Sequence, residues 1–174
     1  MRTAIRLGAA LFAAIAATSA LAAGADQAQQ LALPASAFPK GAVAMNAASS
    51  VSSAGSGWGA TYRFTSGGRP HELLVSVTVW KSRSLAVAMF KQMKSELIPA
   101  VPKLKLAGKP YGDEQVANHS VLGGSQLIVR KGSVVWMLEP QTYMVRAGTE
   151  YELTRAQTIA LYEKYGRLQQ RRIG

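Results

Sequence analysis

The 174-residue chain carries 20 Lys and Arg against 9 Asp and Glu, a formal charge of +11, and no cysteine. The missing cysteines exclude disulfide staples, thiol nucleophiles and a lipid anchor on an N-terminal cysteine. A chain of this size buries about two thirds of its unfolded surface, so one apolar core and one domain suffice without staples.

The opening stretch, "MRTAIRLGAALFAAIAATSALAAGA", places Arg2 and Arg6 ahead of an apolar run from Leu7 to Ala17 and then small residues. That is the pattern of a cleavable secretory signal peptide over residues 1–22, with cleavage expected after Ala22 and a second option near Ala25. The apolar run is too short and too rich in alanine to span a bilayer, so a secreted or periplasmic protein is expected. Loss of Arg2 and Arg6 takes the cations from 20 to 18 against 9 acids, leaving about +9. Such a balance favours an anionic small molecule, an anionic envelope polymer or a protein partner, with at most peripheral membrane contact. Secretion argues against nucleic acid, and the chain is expected to be a monomer.

Residues 23–57 are rich in Ala, Ser and Gly, and "NAASSVSSAGSGWG" predicts a flexible connector, so the folded domain is expected to span 58–174. Over that range "ATYRF", the turn "TSGGRP" and "ELLVSVTVW" form a hairpin. Leu73, Val75, Val77 and Val79 share one face, while Leu74, Ser76, Thr78 and Trp80 share the other. The period then changes to helical in "SRSLAVAMFKQMKSELI". Leu85, Met89, Phe90, Met93 and Leu97 form its apolar stripe, Ser82 or Ser84 caps it, and Pro99 and Pro102 stop it.

The segment "YGDEQVANHS" reads as a turn leading into "SQLIVRKGSVVWMLEP", a second hairpin with Lys131 and Gly132 as its two-residue loop. That loop sets Arg130 opposite Ser133, Val129 opposite Val134, Ile128 opposite Val135 and Leu127 opposite Trp136. One face then carries Leu127, Val129, Val134, Trp136 and Leu138; the mixed face carries Ile128, Arg130, Ser133, Val135 and Met137. "TYMVRAG" is either a short strand or a loop. A final helix starts at Thr154 and buries Ile159, Leu161, Tyr162, Tyr165 and Leu168, with Arg171 and Arg172 set against its C-terminal dipole. Hairpins broken by two helices predict an α+β fold, a mainly antiparallel sheet flanked by two amphipathic helices.

The run "VSVTVWKSRSLAVAMFKQMKSEL", then "YGDEQV" and "GGSQLIVRKGSVVWML", resembles the extracellular sensor domains of mycobacterial serine/threonine kinases and lipoproteins with a PsbP-like fold. The likeness covers residues 73–170, and Gly112-Asp113-Glu114 and Arg130-Lys131-Gly132 are its most recognisable pieces. It implies a non-enzymatic binding or sensing module with an antiparallel sheet.

Three readings of function follow. On the mixed sheet face, Trp80 and Arg130, joined by Arg63 from the neighbouring strand, offer an apolar floor with fixed positive charge for an anionic or aromatic-headed ligand. Alternatively Trp80 covers the sheet edge and the arginines are solvated. The second reading is a hydrolase using His119 with Asp113 or Glu114. Against it, the two acids are adjacent rather than set across a substrate, and no nucleophile-elbow or zinc-protease motif is present. The two acids also suit backbone bonding in a turn. His71 and His119 show no metal-ligand spacing, and no cofactor is expected. The third reading is a structural envelope protein held by its positive surface.

Overall fold

The computed structural model describes residues 22–97, 103–120, 124–141, 143–145, 149–151 and 153–174. The expected leader, residues 1–21, lies outside them, as do Pro99 and Pro102. The architecture is α+β: a six-stranded antiparallel sheet with helices on both faces.

The centre of the sheet follows from sequence alternation. Strands β2 (Gly55–Ser66) and β3 (Arg69–Trp80) pair along their whole length through the Gly67–Gly68 loop. Leu73, Val75 and Val77 are fully buried, as their alternation requires. Strand β3 also pairs with β6 (Val134–Gln141), β6 with β5 (Leu127–Lys131), and β5 with β4 (Glu114–Ala117). Together with β1 (Val43–Val51) the order is β1-β2-β3-β6-β5-β4. A separate two-stranded ribbon joins β7 (Tyr143–Val145) to β8 (Thr149–Tyr151).

The β5–β6 loop differs by one residue from the expected Lys131–Gly132. Lys131 pairs with Val134 and Arg130 with Val135, so Gly132 and Ser133 make the turn. Gly132 takes φ +58 at the first loop position, where a type II′ turn demands positive φ and favours glycine. The slip moves each pairing by two positions and so leaves both face assignments intact: Val129 and Trp136 still point one way, Ile128, Arg130 and Val135 the other.

The first face carries the main core, with Trp136, Leu138, Leu127 and Val129 nearly free of solvent beneath α3 (Arg155–Ile173) and α1 (Ala22–Leu31). Thr154 caps α3 in a reciprocal box: its Oγ1 accepts from Gln157 N while Gln157 Oε1 accepts from Thr154 N. The second face is covered by α2 (Arg83–Leu97), whose first turn is capped by Ser82 Oγ accepting from Leu85 N at 3.2 Å. Its buried stripe is Ala86, Phe90 and, in part, Met93. Leu85, expected on that stripe, is 39% exposed, because the helix turns Ala86 and Phe90 toward the sheet instead.

The expected flexible connector over 23–57 is folded instead. It forms α1, a 3₁₀ turn at Ala35–Ala37 and the edge strand β1, which pairs with β2 from Val43↔Arg63 to Val51↔Ser56 across a bulge between Met45 and Ala48. Two long-range links explain this. Phe38 stacks on Tyr62 and Tyr165 with ring centroids 4.3 and 4.8 Å away. Gln169, fully buried on α3, accepts from Leu33 N at 3.0 Å and donates to Leu31 O at 2.7 Å. The small residues of β1 contribute backbone pairing rather than apolar area, and the folded unit therefore begins well before Trp58.

Candidate functional site

The three residues predicted for a ligand site share one sheet face but are dispersed on it. Arg63 stands opposite Glu72 and donates from Nε to its Oε1 at 2.7 Å. Trp80 pairs with Gly55 at the other end of the hairpin, eight residues along β3 from Glu72, which at a strand's rise is about 26 Å. Its ring packs beside Ala86, Phe90 and Val135 under α2.

Arg130 is committed elsewhere. Only 3% exposed, it donates from Nε to Glu114 Oε2 at 2.6 Å, and from Nη1 to Asp113 Oδ2 at 2.8 Å and Gly132 O at 3.1 Å. Burial by itself lowers the guanidinium pKa, but the bonds to Glu114 and Asp113 outweigh it and hold the group above its ordinary value. Asp113 Oδ2 also accepts from Gly132 N at 3.0 Å. That amide bond, ahead of Arg130, holds the carboxyl below the usual range.

Gly112 completes this clasp. Its Cα runs so close to β5 that a Cβ there would stand 2.5 Å from Arg130 O and 2.7 Å from Val129 Cγ1. The "GDE" stretch thus brings a chain without a side chain against β5 and two acids around one arginine. It starts the edge strand β4 itself, where a turn was expected.

His119 is not joined to either acid. Its Nδ1 lies 3.1 Å from Thr158 Oγ1 and 3.5 Å from Ser125 Oγ, at the junction of the sheet and the first turns of α3. Among the described residues no carboxylate bonds its ring, and no group of three or more His, Asp and Glu side chains converges as a metal site would require. In the core, burial pushes the Tyr165 hydroxyl up to about 12 and raises Tyr162 well above its ordinary value, so both stay protonated at neutral pH.

A different cluster emerges along α3. Lys164, Arg167 and Arg171 are exposed at helical spacing on its outer side. Beside them runs "KLKLAGK", residues 103–109, in which Leu104 and Leu106 turn into the core while Lys103, Lys105 and Lys109 face solvent. Lys103 bridges to Asn118, and Leu104 N donates to Ala117 O at 2.8 Å, so the segment extends the sheet beyond β4. Glu163 Oε1 accepts from Ala107 N at 2.9 Å, and the Tyr111 ring packs where a Cβ on Gly166 would reach it. These contacts hold the lysine-bearing segment against α3. Sequence reading passed over it, although the alternation of lysine and leucine signals a one-sided strand whose outer face is wholly cationic.

Acids are used differently. Glu72, Asp113 and Glu114 bond arginines, Glu96 and Glu139 accept from Gln92 and Gln126, and Glu163 accepts from the Ala107 amide. The six cations of the α3 face form no ion pair with an acid among the described residues. No helix among the described residues is long and apolar enough to cross a membrane. Comparison with known proteins adds no identity: no protein-family model, curated protein or solved structure matches this chain.

Proposed function

We propose that the chain is an extracytoplasmic, non-enzymatic binding module for an anionic partner. The observation that carries this reading is the asymmetry of its charges. Six acids are engaged in internal bonds, two of them around Arg130, whereas Lys103, Lys105, Lys109, Lys164, Arg167 and Arg171 project into solvent. A positive surface whose cations have no carboxylate partner among the described residues concentrates anions and speeds their encounter. The leader-like N-terminus and the resemblance to extracellular sensor domains both agree with a binding role outside the cytoplasm.

The hydrolase reading loses support from the same geometry. Asp113 and Glu114 are held by Arg130, and His119 faces hydroxyl groups. Arg63, Trp80 and Arg130 as one ligand site also lose ground, because one guanidinium is internally consumed and the other two groups stand far apart.

Retention of the full chain on an anionic matrix such as a sulfonated resin, compared with a neutral matrix of the same polymer, tests the reading. Strong retention at low salt, released between about 0.2 and 0.5 M as the screening length falls below roughly 7 Å, is expected. Failure to be retained at any salt concentration, or release that ignores salt, contradicts it.

A further inference from the structure

We infer that the ligand of this module is a linear polyanion bearing one oxyanion per repeat, bound along the face that α3 and residues 103–109 build together. The inference rests on the anionic-partner reading above and adds the place and the shape of the partner.

Geometry sets the shape. Lys164, Arg167 and Arg171 advance by three and then four residues, about 4.5 and 6 Å along the helix axis. Lys103 and Lys105 lie two residues apart on an extended segment, about 6.6 Å. The Glu163–Ala107 bond fixes the two rows side by side. Charges repeating at such intervals along an outer helix and a sheet flank suit a chain of anions. A small molecule would be gripped from several sides in a concavity, with part of its surface buried, whereas these six side chains are all exposed.

Chemistry separates a polymer from a bilayer. Surface-bound amphipathic helices set large apolar side chains into the lipid. Among the described residues the exposed large hydrophobics are Val43 on β1 and Leu85 on α2, neither of them on this face. Attraction here comes from charge alone, which a flexible polyanion satisfies by following both rows. Among the described residues Glu163 is the acid within the face, and its carboxylate accepts from the Ala107 amide.

Titration of the full chain with fluorescently tagged linear polyphosphate, repeated across salt concentrations, tests this. K164Q/R167Q/R171Q is expected to weaken binding at least tenfold and to lower the slope of log affinity against log salt by about 2, at roughly 0.7 per lost contact. K81Q/K91Q/K94Q removes the same charge from the opposite layer and is expected to change affinity less than twofold. Should the α3 variant lose its fold by circular dichroism, K103Q/K105Q/K109Q carries the same expectation. Equal losses from both layers overturn the placement while leaving the anionic-partner reading intact. Displacement by an equal phosphate concentration of monomeric phosphate overturns the polymer, as does binding to phosphatidylglycerol vesicles without binding to polyphosphate. Absence of binding to polymer, monomer, vesicle and anionic resin alike removes both readings.

Discussion

Arg130→Met is expected to lower stability by about 2–4 kcal/mol at pH 7, measured by urea denaturation. Methionine retains much of the apolar stem but leaves Glu114 and the Gly132 carbonyl without the arginine donor, leaves Asp113 with the Gly132 amide, and sets two carboxylates beside each other. The cost stays below the about 3–5 kcal/mol of a fully buried pair because the two acids are 37% and 38% exposed and regain water. Acid titration gives a second readout. Asp113 has a lowered folded-state pKa, so its stabilisation is fully present above the unfolded carboxyl value of about 3.9 and disappears as pH falls through the lower folded value. The Gly132 amide, the larger cause of that lowering, is kept in the variant, so only the Arg130 share is lost and the gap between wild type and variant should narrow modestly from pH 7 to pH 3. A variant within 0.5 kcal/mol of wild type at pH 7, on the order of a surface substitution, would show that the clasp contributes little.

Phe38→Ala is expected to cost about 3–4 kcal/mol, the range for a truncated core aromatic. The ring is 6% exposed and lies 4.3–5.2 Å from Tyr62, Tyr165 and Phe64, so its removal opens a cavity where the N-terminal segment, the sheet and α3 meet. Residues 22–42 should then become sensitive to limited proteolysis while β2, β3 and α3 stay protected. A loss under about 1 kcal/mol would mean that this segment packs as loosely as its composition suggests.

Local pattern exposed the parts of the fold governed by local physics. Alternation in "ELLVSVTVW" gave the buried face of β3, and Thr154 marked the start of α3. The two faces of the β5–β6 hairpin were also readable, because a shift of two positions in register preserves side-chain direction. Non-local contacts hid the rest. Nothing in "NAASSVSSAG" reports that Gln169 binds Leu33 and Leu31, more than 130 residues away, or that a bulged strand of small residues finds an open edge on β2. Arg130 was placed on the correct face, yet its occupation by Asp113 and Glu114 depends on the β4–β5 register, which sequence spacing does not contain. The lysine-bearing surface was legible in principle, since "KLKL" announces a strand with one charged face. What joins it to α3 is the Ala107–Glu163 bond, a contact across 56 residues.

The most direct measurement is an amide nuclear magnetic resonance titration of the isotopically labelled full chain with linear polyphosphate at low salt. Progressive shifts concentrated at residues 103–109 and 163–171, with β3 near Trp80 and β2 near Arg63 unmoved, are the predicted result. Shifts centred instead on Trp80 and Arg63, or on His119 and Ser125, would contradict it.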